Sequence, residues 1–242
     1  MEYQGIRVFY KGQQGEGTPI VLLHGWGASS AAMDGIYNFL LAQGRTVYAF
    51  DFPGFGHSDA PPDTWGIHEY ADCIRSLLQD LHLNSPVLVG HSFGGRVAIL
   101  LGASGCVSKL ILADAAGCKP RFSLKKRLAV ARYKRAVRRG LRTDGYGSAD
   151  YRALSPAMRK VFVRVVNTHL ESYLSQIKVP TLLFWGKNDT DTPLYMAKRL
   201  KRKIKDSGLV VMEDAGHFAY AERHAVFCAA VNAFTERNGE RK

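Results

Sequence analysis

The sequence has no long apolar run. No stretch in its 242 residues approaches the roughly 18 consecutive apolar residues that cross a bilayer, so no membrane-spanning helix is expected. Its first residues, MEYQGIRVFYKG, lack the basic start and apolar stretch of a secretion signal. Cysteine is scarce: Cys73, Cys106, Cys118 and Cys228 are scattered, with no C-x-x-C spacing. That pattern argues against a disulfide framework or a cysteine metal site and predicts reduced thiols in a cytoplasmic protein. Internal repeats and low-complexity tracts are missing, so no solenoid is expected. Acidic residues are almost missing from one segment. Residues 118–177 hold 15 of the 33 Lys and Arg but only 3 of the 21 Asp and Glu, leaving 18 of each sign elsewhere. The whole net charge of +12 therefore lies in that segment.

What is present is an ordinary apolar share, 46%, in a chain long enough for one large domain or a core plus an insertion. Short apolar runs at 6–10, 20–23, 46–50, 87–89, 109–113, 181–185 and 209–212 read as strands. They are too uniformly apolar for a half-exposed sheet and suit strands buried on both faces. Helical patterns lie between them, at about 31–42, 67–81, 93–103, 194–205 and 219–237. The alternation predicts an α/β fold, a mostly parallel, doubly wound sheet with helices on both faces. It fails between residues 118 and 177. There Val130, Tyr133, Val137 and Leu141 recur at helical spacing, and Pro156 opens a second helical stretch, MRKVFVRVVNTHLESYL. The expected organisation is a core of residues 1–117 and 178–242, interrupted by a basic helical insertion.

Reactive groups cluster just after the strands, where an open α/β sheet binds ligands. The run 87–89 ends in Gly90-His91-Ser92-Phe93-Gly94, and a helix follows at once. The G-x-S-x-G pattern between strand and helix is a strained turn that lifts a serine hydroxyl clear of the sheet. The same glycines would also suit a plain turn with a helix-capping serine. A serine nucleophile needs a base and an acceptor behind the base. His217, in DAGH, is placed as the base, and Asp189, in GKNDTDTP, as the acceptor. An oxyanion would need donors, for which the N–H of Phe93 and that of Trp26, in HGWG, are the candidates.

HGWG, DFPGFGHS, GHSFGG, GKNDTDTP and DAGH occur in an order and at a spacing that resemble the α/β-hydrolase superfamily over nearly the whole chain. The resemblance implies a serine hydrolase without cofactor or metal, its triad in the chain order Ser, Asp, His, and a lid formed by the insertion. Asp114 and Asp191 are rival acids; Asp189 has the family's distance to Pro193. His24, His91 and His224 are rival bases, of which His24 is expected to support the oxyanion loop and His91 to pack in the elbow. Asp51, His57 and Ser58 are expected to stabilise loops.

The superfamily hosts several chemistries. Ser92 in place of Asp argues against its dehalogenase and epoxide hydrolase branches. The HGWG and PGFG loops are similar to small lidded carboxylesterases, including pimeloyl-acyl-carrier-protein methyl ester esterases. They imply hydrolysis of acyl esters, with thioester or C–C bond hydrolysis as alternatives on the same residues. The basic insertion, led by Arg132, Arg135, Arg138, Arg139 and Arg142, predicts recruitment of an acidic acyl carrier protein. A non-catalytic protein using KKRLAVARYKRAVRRGLR on nucleic acid or anionic membrane is the rival of another class. It is weakened by the lack of a nucleic-acid motif and by the intact Ser, Asp and His.

Overall fold

The computed structural model describes residues 1–121, 124–140 and 149–236. The chain enters through a short hairpin, β1 (Glu2–Tyr3) and β2 (Ile6–Arg7). A seven-stranded sheet follows: β3 (Tyr10–Gln13), β4 (Glu16–Leu23), β5 (Arg45–Phe50), β6 (Val87–His91), β7 (Lys109–Ala113), β8 (Thr181–Gly186) and β9 (Ser207–Met212). Their order across the sheet is β3-β5-β4-β6-β7-β8-β9. All are parallel except β3, which runs antiparallel to β5 at the edge. The single strand expected over residues 6–10 is divided. Ile6 and Arg7 pair within the hairpin, and the sheet strand starts at Tyr10, because the two halves bond to different partners.

Strands β5 to β8 are buried almost throughout because helices cover both faces. On one face α1 (Asp34–Ala42) and α9 (His224–Thr235) place Ile36, Leu40, Phe227 and Val231 against Val47, Val89, Ile111 and Phe184. On the other, α2 (Ile67–Asp80), α3 (Phe93–Ala103) and α7 (Tyr195–Lys203) place Tyr70, Ile74, Val97, Leu101 and Leu200 against Leu88, Leu110 and Leu183. Leu88 and Val89 go to opposite faces because strand side chains alternate. Truncating one such buried side chain to alanine costs about 2–5 kcal/mol. The final helix, expected to be continuous, is broken: α8 (Ala219–Glu222) ends at Arg223, whose φ of −119° and ψ of 44° leave the helical region. Between β4 and β6 the sheet reverses its winding, which opens a crevice at the strands' carboxyl ends.

The segment between β7 and β8 carries α4 (Leu124–Arg138), α5 (Ala149–Ala153) and α6 (Pro156–Asn167). Ser155 caps α6 by accepting the Met158 N–H at 3.3 Å, and Pro156 occupies the first turn, where its missing N–H costs nothing. Met158, Val161 and Val165 recur at helical spacing and are buried against the core. The helical run expected to continue to Leu174 stops at Asn167, after which Thr168 is extended. The carbonyls of Val165 and Thr168 accept from Nη1 of Arg96 in α3, at 3.0 and 2.7 Å. Arg96 is a buried cation that meets the negative end of a helix dipole.

Helix α4 is placed much more loosely. Ala136 is buried and Tyr133 half-buried, but Leu128 and Val130 remain more than half exposed. The helical spacing of Val130 thus marks a helix without marking a buried face. Leu141 lies outside the described residues.

Candidate active site

Ser92 sits between β6 and α3 with φ 49° and ψ −106°, a conformation side chains other than glycine's rarely adopt. Two glycines allow it. A Cβ on Gly94 would lie 2.2 Å from the Leu23 carbonyl oxygen, and one on Gly90 2.6 Å from that of Gly94. Backbone bonds hold the turn, with Ser92 N–H to Ala113 O at 3.1 Å and Gly94 N–H to His24 O at 3.0 Å.

The sheet register brings the loops after β8 and β9 beside this serine. His217 Nε2 is 3.0 Å from Ser92 Oγ, and His217 Nδ1 is 2.9 Å from Asp189 Oδ2. An ionised carboxylate only accepts, so Nδ1 carries the proton and Nε2 is left to accept from the serine hydroxyl. Asp189 is saturated with donors: Oδ1 accepts the N–H groups of Asp191 and Thr192, each at 2.8 Å, and Oδ2 accepts the Thr192 hydroxyl at 2.6 Å. Burial alone would raise its pKa, but the bonds from His217 and Thr192 outweigh it and hold the carboxyl below its ordinary range. Burial works against a charged His217, yet the bond and charge of Asp189 prevail and raise its pKa, with Asp191 and Asp114 contributing.

The profile of the alpha/beta hydrolase family matches residues 20–230. The chain belongs to the alpha/beta hydrolase family. It is 30% identical to the AB hydrolase superfamily protein YisY of Bacillus subtilis, over 86% of this chain and 88% of that one. It is 27% identical to the 2-hydroxy-6-oxo-2,4-heptadienoate hydrolase of Pseudomonas putida (91% and 90% covered). It is 24% identical to the pimeloyl-[acyl-carrier protein] methyl ester esterase of Vibrio atlanticus (92% and 96%). A solved esterase from Exiguobacterium antarcticum superposes with a TM-score of 0.79 at 24% identity, covering 96% of this chain and 97% of that one. That last likeness is one of fold.

In this hydrolase the rival groups are all placed elsewhere. His24 donates from Nδ1 to Gly25 O at 2.7 Å and accepts the Phe52 N–H at Nε2, 3.0 Å away, so it ties the HGWG loop to the loop after β5. Burial pushes its pKa down to about 4. His91 donates from Nε2 to the His217 carbonyl oxygen at 2.8 Å, and burial lowers its pKa to about 3. His224 lies in α9 against Cys228, with Nε2 3.4 Å from the sulfur. Asp191 is exposed. Asp114 is buried and accepts two backbone N–H groups, and among the described residues its carboxylate makes no hydrogen bond to His217. Asp51 accepts the Ser30 and His57 N–H groups, and the Ser58 hydroxyl donates to its carbonyl.

Trp26 and Phe93 flank Ser92. The N–H of Phe93 is the first of α3, one of those a helix leaves unbonded. The two rings pack edge to face at 5.1 Å, and Phe162 of α6 covers Trp26 at 5.2 Å. Arg132, Arg135, Arg138 and Arg139 are exposed on or just after α4, and among the described contacts none reaches Ser92, His217 or Asp189. Arg142 lies outside the described residues.

Three contributors escape a reading of the sequence. Thr192 joins Asp189 and sits 3.4 Å from His217 Nδ1, although its place in NDTDTP, just before the proline, was the available signal. Phe162 and Arg96 have no local signal, since their partners are distant in the chain.

Proposed function

We propose that this hydrolase cleaves carboxylic esters through Ser92 as nucleophile, His217 as general base and acid, and Asp189 as the acid that orients His217. The observation that carries the reading is the unbroken relay from Ser92 Oγ to His217 (3.0 Å) to Asp189 (2.9 Å). As Ser92 attacks the ester carbonyl, its proton passes to His217 Nε2, and Asp189 stabilises the imidazolium. The N–H groups of Trp26 and Phe93 receive the oxyanion. His217 then protonates the departing alkoxide, and water releases the acyl group from Ser92 by the same steps. These steps call on no cofactor or metal.

Residues 118–177 act as a lid over a core of residues 1–117 and 178–242. The placement of Phe162 over Trp26 supports this. The charge confined to this segment supports a further step, recruitment of an acidic acyl carrier by Arg132, Arg135, Arg138, Arg139 and Arg142, and the Vibrio atlanticus relative is named for such a substrate. A cytoplasmic location suits the four unpaired cysteines. Among the described residues no helix is long and apolar enough to cross a membrane.

The test is a fluorophosphonate probe followed by a substrate panel. The probe should label Ser92 in the wild type and nothing in Ser92→Ala. Labelling elsewhere overturns the nucleophile. Faster turnover of thioesters or vinylogous diketones than of esters moves the reaction class. An unlabelled, inactive protein that binds RNA or anionic vesicles replaces the enzyme reading with the binding one.

A further inference from the structure

Asp114 follows β7 directly, between the serine turn and the acid loop, and is fully buried. Its φ of 44° lies in the left-handed region, a strain that persists only where the surroundings over-determine it. They do so on three sides. Oδ1 accepts the N–H of Gly186, the last residue of β8 and three before Asp189, at 2.8 Å. Oδ2 accepts the N–H of Ala219, two residues after His217, at 3.1 Å. Its carbonyl oxygen lies 2.9 Å from the Thr192 hydroxyl, which also contacts Asp189. One side chain thus bridges the backbone of the loop that carries the acid and the backbone of the loop that carries the base.

We propose that Asp114 is a positioning residue that holds Asp189 and His217 in register and, when ionised, adds negative charge behind His217. The proposal rests on the reading of Ser92, His217 and Asp189 as the reacting groups. The titratable groups around Asp114 are Asp189 after β8, with Asp191 beyond it, His217 after β9, and Tyr220 in α8. Burial, with the charge of Asp189 adding, pushes the Asp114 carboxyl up to about 8, against the pull of the Gly186 and Ala219 donors and of His217. The carboxyl is therefore mostly protonated below neutrality and gains its charge in mildly alkaline solution. That charge favours the imidazolium that forms as Ser92 attacks.

The experiment compares wild type with Asp114→Asn on one small ester across pH 6 to 9.5. Asparagine keeps one acceptor oxygen but puts an N–H donor against the other loop's N–H, so the variant should already lag wild type at pH 6, where the wild-type carboxyl is mostly protonated. The kcat deficit should widen by a further roughly 10-fold by pH 9, with KM changed less than about twofold, because the charge contribution to the transition state is lost in addition to one bridge. No deficit at any pH overturns the positioning role, and a deficit that does not widen between pH 6 and pH 9 overturns the charge contribution. If Asp114→Asn does not fold, wild type still decides. The Gly186 and Ala219 amide resonances should titrate together near pH 8, apart from the His217 ring. Amides that stay still, or that follow His217, overturn it. Ser92→Ala separates the two readings: full activity there removes the reacting groups, whereas an inactive Ser92→Ala beside a normal Asp114→Asn removes only this role.

Discussion

The sheet and helix α4 use apolar residues in opposite ways. Strand β8 buries all six of its residues between two helical layers, and β6 and β7 do nearly the same. Helix α4 buries Ala136 but leaves Leu128 and Val130 more than half exposed, among Arg132, Lys134, Arg135 and Arg138. The first region is close-packed on both faces, so a shift in any one group is resisted by many neighbours. Among its described side chains the second buries little, and its exposed arginines face solvent, where they can meet something outside the molecule. Helix α6 stands between them, packed on the core by Met158, Val161 and Val165 and tied to α3 by Arg96. The proposed chemistry belongs to the rigid region and the proposed recruitment to the loose one.

Changes that separate the two regions span a wide range of effect. Ser92→Ala should lower kcat by about 10⁴-fold or more on every substrate while leaving the circular dichroism and melting temperature near wild type. Asp189→Asn should cost about 10⁴-fold in kcat through the wrong His217 tautomer, and Asp191→Asn almost nothing. Steady-state kinetics on a small ester distinguishes them, and a reversed order would transfer the acid role. Reversing the charge of Arg132, Arg135 and Arg138 should spare the small ester. It should reduce kcat/KM for an acyl-carrier substrate about 10- to 10³-fold, and added salt should do the same to wild type. Equal salt responses for both substrates would detach the charge from carrier binding.

Arg96→Met should lower stability by about 2–3 kcal/mol, measured by urea unfolding, because it removes both side-chain bonds to the end of α6 and leaves the Thr168 carbonyl without its side-chain donor. It tests whether α6 depends on the core for its position. The smallest effect, counted per residue and per pH unit, comes from acid. His24 and His91 are neutral in the folded protein, with pKa values lowered to about 4 and about 3 from 6.5. The stability they contribute is complete above pH 6.5 and is lost as pH falls toward their folded values. Each should remove at most about 1.4 kcal/mol per pH unit in that window. Activity should fall over the acid range too, since the proposed base His217 must be neutral to accept a proton and its pKa is raised above 6.5. His24→Gln should flatten the stability profile without moving the activity limb.

Strand β7 and helix α3 have the bounds read from the sequence, and β4 to β6, β8 and β9 lie where the apolar runs place them. A strand buried on both faces must be apolar throughout, and its neighbours in sequence must turn, so the signal is local. The edge of the sheet was less legible: residues 6–10 form one apolar run but serve two pairings. The end of α6 was also hidden, because its stop is supplied by Arg96 from α3.

Sequence alone singled out Ser92 as the candidate nucleophile, since Gly90 and Gly94 are the residues that let a serine occupy a left-handed turn. It also determined where the charge lies and which histidines and acids were in contention. Only the tertiary structure shows which of them lie beside Ser92. His217 reaches Ser92 across 125 positions of chain, while Asp114 and Ala219 meet across 105. Whether His217 leans on Asp189 or Asp114 depends on how parallel strands from distant parts of the chain align. That alignment follows from packing both faces of the sheet at once, which no local pattern of residues records.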